Sequence, residues 1–151
     1  MDIDKHYLNG CEWVRSASKD RSTKVGAIIV GLDGELVSTG YNGFPRKIND
    51  NIDARHERPV KYDWTIHAEN NAIYNAARIG SSTKNCTLYC SHTPCIHCLA
   101  AMIQAGISRI VVNKNNNFTS ESKFYVNHFF EENKTFFEML QESGVTFRVI
   151  E

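Results

Sequence analysis

His67 and Glu69, two residues apart, and Cys95 and Cys98, three apart, have the types and spacing for chemistry at a metal ion. One imidazole and two thiolates make three zinc ligands. Three protein ligands leave the fourth tetrahedral position open, which separates a catalytic from a structural site. Zinc lowers the pKa of a bound water to about 7. Glu69 is not needed as a ligand. Close to the metal, it can take the water's proton, pass it to a ring nitrogen and then protonate a leaving amine. That is hydrolytic deamination in outline. His97 lies two positions from Cys95, points elsewhere and is not counted as a ligand.

Three other readings compete. Cys95 and Cys98 could be a thioredoxin-type redox pair, but this leaves His67 and Glu69 without a role. Cys86, Cys90, Cys95 and Cys98 could form a structural four-cysteine zinc site, as in a nucleic-acid-binding module. Cys86 and Cys90 fall on an expected strand, however, where four residues span roughly 13 Å, so both cannot reach one metal and they read as core thiols. His67 and Glu69 could be an ordinary helix cap, which leaves the cysteines unexplained.

Both stretches open helices. The second helix runs from about 67 to 79, with Ala68, Ala72, Ala76 and Ile79 on one small-residue face and Gly80 as its stop. The third starts at Pro94, a good first-turn residue, and ends near Gly106. Cys95 and Cys98 then fall on one side of a helix start, where unpaired N–H groups favour thiolates. If the two helices meet at their N-termini, the ligands converge.

The remaining elements follow in order. Residues 2–20 read as a helix with Ile3, Tyr7, Cys11, Val14 and Ala17 inward, and Asp2 and Asp4 suiting its positive end. Ser18 to Lys24 has no periodicity but offers three cations and three hydroxyls, either a solvated turn or an anion-binding loop. Residues 25–30 and 36–41 are strands joined by a hairpin at Asp33-Gly34. Gly40 and Gly43 bracket Tyr41-Asn42, a sign that the backbone approaches something closely. Residues 46–66 form a polar loop of functional length with room for a short helical turn. His56-Glu57 there reads as a solvated pair rather than a metal half-site. Strands follow at 86–91, 109–112 and 145–150, with a helix over 121–142 whose core is Phe129, Phe130, Phe136, Phe137 and Leu140. The order α-β-β-α-β-α-β-α-β implies a three-layer α/β/α sandwich around a mixed five-stranded sheet.

At 151 residues the chain fits one domain, 1–151, with a sizeable core. Its formal net charge of zero argues against a polynucleotide partner. No apolar run approaches the roughly 18 residues of a membrane span, and the N-terminus lacks a signal-peptide pattern. Five cysteines, an odd number, fit reduced thiols and a cytoplasmic location.

The H-x-E…P-C-x-x-C pattern resembles that of zinc-dependent nucleoside and nucleotide deaminases, over nearly the whole chain. His67-Ala68-Glu69-Asn70-Asn71-Ala72-Ile73 and Pro94 to Cys98 carry the likeness. Ser18-Lys19-Asp20 before Val25-Gly26-Ala27, the Gly40 to Pro45 loop and Gly144 to Phe147 resemble the deoxycytidylate (dCMP) deaminases more than the tRNA adenosine or guanine deaminases. The resemblance implies Zn²⁺ on His67, Cys95 and Cys98, with Glu69 as proton shuttle. It places the backbone N–H of Ala68 on the pyrimidine O2 and Asn42 on the deoxyribose hydroxyl. The 5′-phosphate falls among Lys19, Arg21, Ser22, Thr23 and Lys24. Tyr41, Gly43 and Arg46 fall in the effector region, where dCTP with Mg²⁺ activates and dTTP inhibits family members. A homo-oligomer, with a hexamer favoured over a dimer, is implied too. The 46–66 loop lacks the long insertion that brings some members a second zinc. His92 stands where a hydrophobic residue is expected, either touching the base or packing.

Overall fold

The structure is a computed structural model that describes residues 1–114 and 134–151. The expected helical stretch 121–133, with Phe129 and Phe130, lies outside the described residues. Five strands form one sheet in the order β2-β1-β3-β4-β5. They are β1 (Gly26–Val30), β2 (Leu36–Tyr41), β3 (Thr87–Cys90), β4 (Arg109–Asn113) and β5 (Thr146–Ile150). β1 runs antiparallel to β2 and β3, while β3, β4 and β5 are parallel. The sheet is mixed, as the element order implied.

Strand alternation sorts the core into two clusters, one per face. Ile28, Val30, Tyr89 and Val111 meet Leu8, Cys11 and Val14 of helix α1 (Ile3–Arg15). Ala27, Ile29, Leu88, Cys90, Ile110 and Val112 face the other way. They pack against α3 (Ala68–Ile79), α4 (Ile96–Gln104) and α5 (Lys134–Ser143). Phe136 and Leu140 of α5 are buried there, with Phe137 against them. These are the expected three layers.

Local departures have physical causes. α1 ends at Arg15, not near residue 20, and Ile3 is 52% exposed. Asp4, read as a partner of the helix dipole, sits in the first turn of α1 but turns inward at 2% exposure. It accepts from Tyr89 Oη (2.7 Å), Arg109 Nη1 (2.8 Å) and the Arg148 guanidinium. The Arg109 guanidinium, with Tyr89 and Arg148, overcomes burial and holds its carboxyl well below the usual range. Asp2 caps the helix, accepting from Asp4 N at 3.0 Å. The β1–β2 turn has Gly34 at φ +82°, as the Asp-Gly signal required. Ile79, expected on the small-residue face of α3, is 72% exposed in its last turn.

The glycine pair at the end of β2 splits. A Cβ on Gly40 would lie 2.3 Å from Ala72 N and 2.5 Å from Ala68 O, so glycine lets α3 press its backbone onto the strand. Ser38 Oγ donates to Ala72 O at 2.7 Å beside it. Nothing lies within 4 Å of a Cβ on Gly43, whose role is instead a backbone bridge to Ile66. The 46–66 loop holds a 3₁₀ turn (Asp53–His56) and a one-turn helix, α2 (Lys61–Trp64). His56 is half-buried rather than solvated. It stacks on Phe44 with centroids 4.8 Å apart, and its Nε2 lies 2.6 Å from Asp50 O.

Candidate active site

Two helix N-termini meet behind the ends of β1 and β3. His67 is the N-cap of α3 and Cys95 the N-cap of α4, both with extended backbones and without a side-chain capping bond. Their side chains are turned to each other instead. Cys98, in the first turn of α4, is buried. His67 Nδ1 lies 3.3 Å from Cys98 Sγ and 3.5 Å from Cys95 Sγ, and all three donor atoms lie within 4.8 Å of one another. A tetrahedral zinc with Zn–N near 2.0 Å and Zn–S near 2.3 Å sets its ligand atoms about 3.5–3.8 Å apart. The three donors are grouped closely enough to hold that ion. Cys86 and Cys90 take no part in the cluster, and His97 is exposed outside it.

The donors bias one another's protonation. The Cys98 thiol beside Cys95, with His67 on its other side, brings Cys95 down to about 3. The same pairing and burial push Cys98 up, and the contact with Cys95 raises His67. A thiolate is therefore already favoured where a cation needs one.

Glu69 stands in the first turn of α3 at 4% exposure. Burial raises its carboxyl above the ordinary range. Cys90 Sγ donates to its Oε1 at 3.1 Å. Burial, and the carboxylate beside it, push the Cys90 thiol well up, so it stays a donor.

His67, Glu69 and Cys95 line a cavity of about 230 Å³. Ala68, Asn42, Thr23, Lys61 and His92 also line it. His92 is held through its Nδ1, 2.8 Å from Ser91 Oγ, and burial lowers its pKa to about 4. It is a neutral wall residue that faces the cavity.

The expected phosphate residues are scattered. Of Lys19, Arg21, Ser22, Thr23 and Lys24, Thr23 lines this cavity. Lys19 pairs with Asp50 at 3.2 Å and Arg21 with Asp53 at 3.0 Å, both in the open. Ser22 and Lys24 are exposed. The cation lining the cavity is Lys61, 10% exposed and 3.2 Å from Asp20. Burial acts to raise Asp20, but the N–H groups of Thr23 and Ser22 and the Lys61 ammonium outweigh it and hold the carboxylate low. Sequence reasoning missed Lys61 because it sits in the polar loop, six residues before His67. The functional length of that loop was the available signal.

Asn42 does more than line the wall. Its Oδ1 accepts from Ser18 Oγ (2.8 Å) and Val25 N (2.9 Å), and its Nδ2 donates to Thr23 O (2.8 Å). It ties the 18–25 loop to the end of β2. Tyr41, Gly43 and Arg46 line a second cavity of about 290 Å³ beside it, outside the His67 cavity.

Among the described residues no helix is long and apolar enough to cross a membrane. Comparison with known proteins agrees with this geometry. An uncharacterised deaminase from the luxG 3′ region of Aliivibrio fischeri is 42% identical over 106 residues, covering 70% of this chain and 69% of that protein. The mouse deoxycytidylate deaminase is 36% identical over 109 residues, covering 69% of this chain and 60% of the mouse enzyme. The chain therefore matches only about three-fifths of the mouse enzyme's length. The dCMP deaminase of cyanophage S-TIM5 superposes with a TM-score of 0.73 at 26% identity, covering 99% of this chain and 98% of that one. The profile of the cytidine and deoxycytidylate deaminase zinc-binding region matches residues 1–114, which include His67, Glu69, Cys95 and Cys98, and the chain belongs to that family.

Proposed function

We propose that this chain, acting as a single domain of residues 1–151, hydrolyses dCMP to dUMP and ammonia with one zinc per chain. The observation that carries the reading is a buried carboxylate, Glu69, beside the His67/Cys95/Cys98 cluster in a cavity whose wall also holds a buried cation, Lys61. Zinc on those three ligands supplies an activated water at neutral pH. With zinc held by His67, Cys95 and Cys98, Glu69 would take a proton from the attacking water and pass it to N3 as the water oxygen bonds to C4, then take the C4 hydroxyl proton and pass it to the amine, which leaves as ammonia while C4=O forms. Burial, which raises its carboxyl above the ordinary range, suits a group that must hold a proton between transfers. The Ala68 N–H, free at the start of α3, meets the base O2. Asn42 meets the deoxyribose hydroxyl through its remaining N–H. The 5′-phosphate lies at the 19–24 loop, where Thr23 turns into the cavity, and Lys61 completes its charge contact.

The dUMP formed feeds thymidylate synthesis in the cytoplasm. Tyr41, Gly43 and Arg46 contribute to an effector site for dCTP with Mg²⁺ and for dTTP. The second cavity beside β2, with Lys19 also on its wall, supports that assignment. The working unit is a homo-oligomer, a hexamer first. The test is ammonia release by the zinc-loaded protein with dCMP, deoxycytidine, CMP and guanine as substrates. dCMP is expected to give the highest kcat/KM. Preference for guanine or free nucleoside contradicts the phosphate assignment.

A further inference from the structure

A carboxylate that moves protons must hold one geometry while its charge changes. Glu69 is enclosed by the helix-side core, and a buried carboxylate without donors is costly. Its neighbour on the facing sheet surface is Cys90, the last residue of β3. Strand alternation puts Leu88 and Cys90 on the α3 side and Tyr89 on the α1 side. The pairing of Cys90 with Ala27 in β1 fixes its height in the sheet. Cys90 has no measurable exposure, and its sulfur lies 3.1 Å from Glu69 Oε1. Cys98 is also near Glu69, but a Cys98 that holds zinc is a thiolate and cannot donate. Cys90 is outside the ligand cluster, so no metal displaces the proton of its thiol.

We propose that Cys90 is a positioning residue for Glu69: its thiol donates to Oε1 and fixes the carboxylate, leaving the second oxygen for the proton. This rests on the reading of Glu69 as the proton shuttle. A cysteine at this position otherwise reads as a core thiol filling space, and the two roles predict opposite orders for two substitutions.

Cys90→Val keeps an apolar, somewhat larger side chain and removes the donor. Cys90→Ser keeps a donor and loses volume. With the zinc-loaded protein and dCMP, Cys90→Val lowers kcat about tenfold while KM, dUMP affinity and zinc content stay near wild type. Cys90→Ser recovers most of kcat despite its poorer packing. If Cys90→Val is as active as wild type, or if Cys90→Ser is the worse of the two in kcat, the proposal is overturned. The infrared S–H stretch of Cys90, assigned by its loss in Cys90→Val, provides a readout without turnover. It is expected to shift to higher frequency in Glu69→Ala as the thiol loses its acceptor. An unshifted band overturns the contact itself. A shifted band with a fully active Glu69→Ala enzyme leaves the contact standing and removes Glu69 from the chemistry.

Discussion

Gly40→Ala is the substitution that couples fold and chemistry most tightly. A Cβ at Gly40 falls 2.3 Å from Ala72 N, 2.5 Å from Ala68 O and 2.8 Å from Asn71 C, all backbone atoms of α3. None can rotate away as a side chain would. Ordinary contact needs about 3.5 Å, so α3 must retreat by about 1 Å. Overpacking of this kind costs about 1–3 kcal/mol, and a backbone neighbour puts the site at the upper end. For a chain of this size, 3 kcal/mol corresponds to a fall in Tm of about 6–12 °C. The same retreat moves the helix start that carries His67 and Glu69, and a 1 Å misplacement can cost about 100-fold in rate. Differential scanning calorimetry and kcat for dCMP deamination at a temperature where the variant is folded measure the two effects separately. Gly10→Ala is the control. Its Cβ meets only the end of the Ile28 side chain, at 2.7 Å, so Tm should change little and activity stay full. A Gly40→Ala protein with wild-type Tm and kcat refutes the argued contact between β2 and α3.

Three further outcomes are expected. Asp4→Asn removes the charge that Arg109 and Arg148 share and should cost about 3 kcal/mol by urea unfolding, with dCMP turnover at 25 °C unaffected. Because the folded-state pKa of Asp4 is depressed, its contribution is present above its unfolded pKa of about 3.9 and is lost as pH falls toward the folded value. The stability difference between wild type and Asp4→Asn should therefore shrink below about pH 4. Glu69→Ala should retain one zinc per chain by metal analysis and bind dUMP in calorimetry, with turnover lowered by about 100-fold or more; retained activity removes Glu69 from the mechanism. Lys61→Met should raise KM for dCMP about tenfold while leaving that for deoxycytidine unchanged, since only the nucleotide carries the phosphate.

The sequence made the metal cluster legible because its signal is spacing at helix starts. His67 and the Cys95–Cys98 pair each open a helix, and opening two helices side by side is what this topology does. Strand order and the two-faced core followed from alternation, as at Ile28 against Ile29 and Tyr89 against Leu88. Long-range polar pairing was not legible. Asp4 looked like a dipole partner because the residues that draw it inward, Tyr89, Arg109 and Arg148, come 85 to 144 positions later. The cations of the 18–24 loop looked available because Asp50 and Asp53, which engage Lys19 and Arg21, lie in another loop. Lys61 looked like solvated surface for the converse reason: Asp20, 41 positions earlier, draws it into the cavity wall. Gly40 and Gly43 carry the same sequence signal, and only the packing of α3 separates them.

The central claim is that the site formed by His67, Cys95, Cys98 and Glu69 hydrolyses the C4–amine bond of dCMP. Turnover of dCMP by the zinc-loaded protein in ¹⁸O-enriched water, followed by mass spectrometry, tests it most directly. The expected result is dUMP carrying one heavy oxygen at C4, one ammonia released per dUMP, and about 100-fold less of both from Glu69→Ala in the same time. Unchanged dCMP, or dUMP without the heavy oxygen, contradicts it.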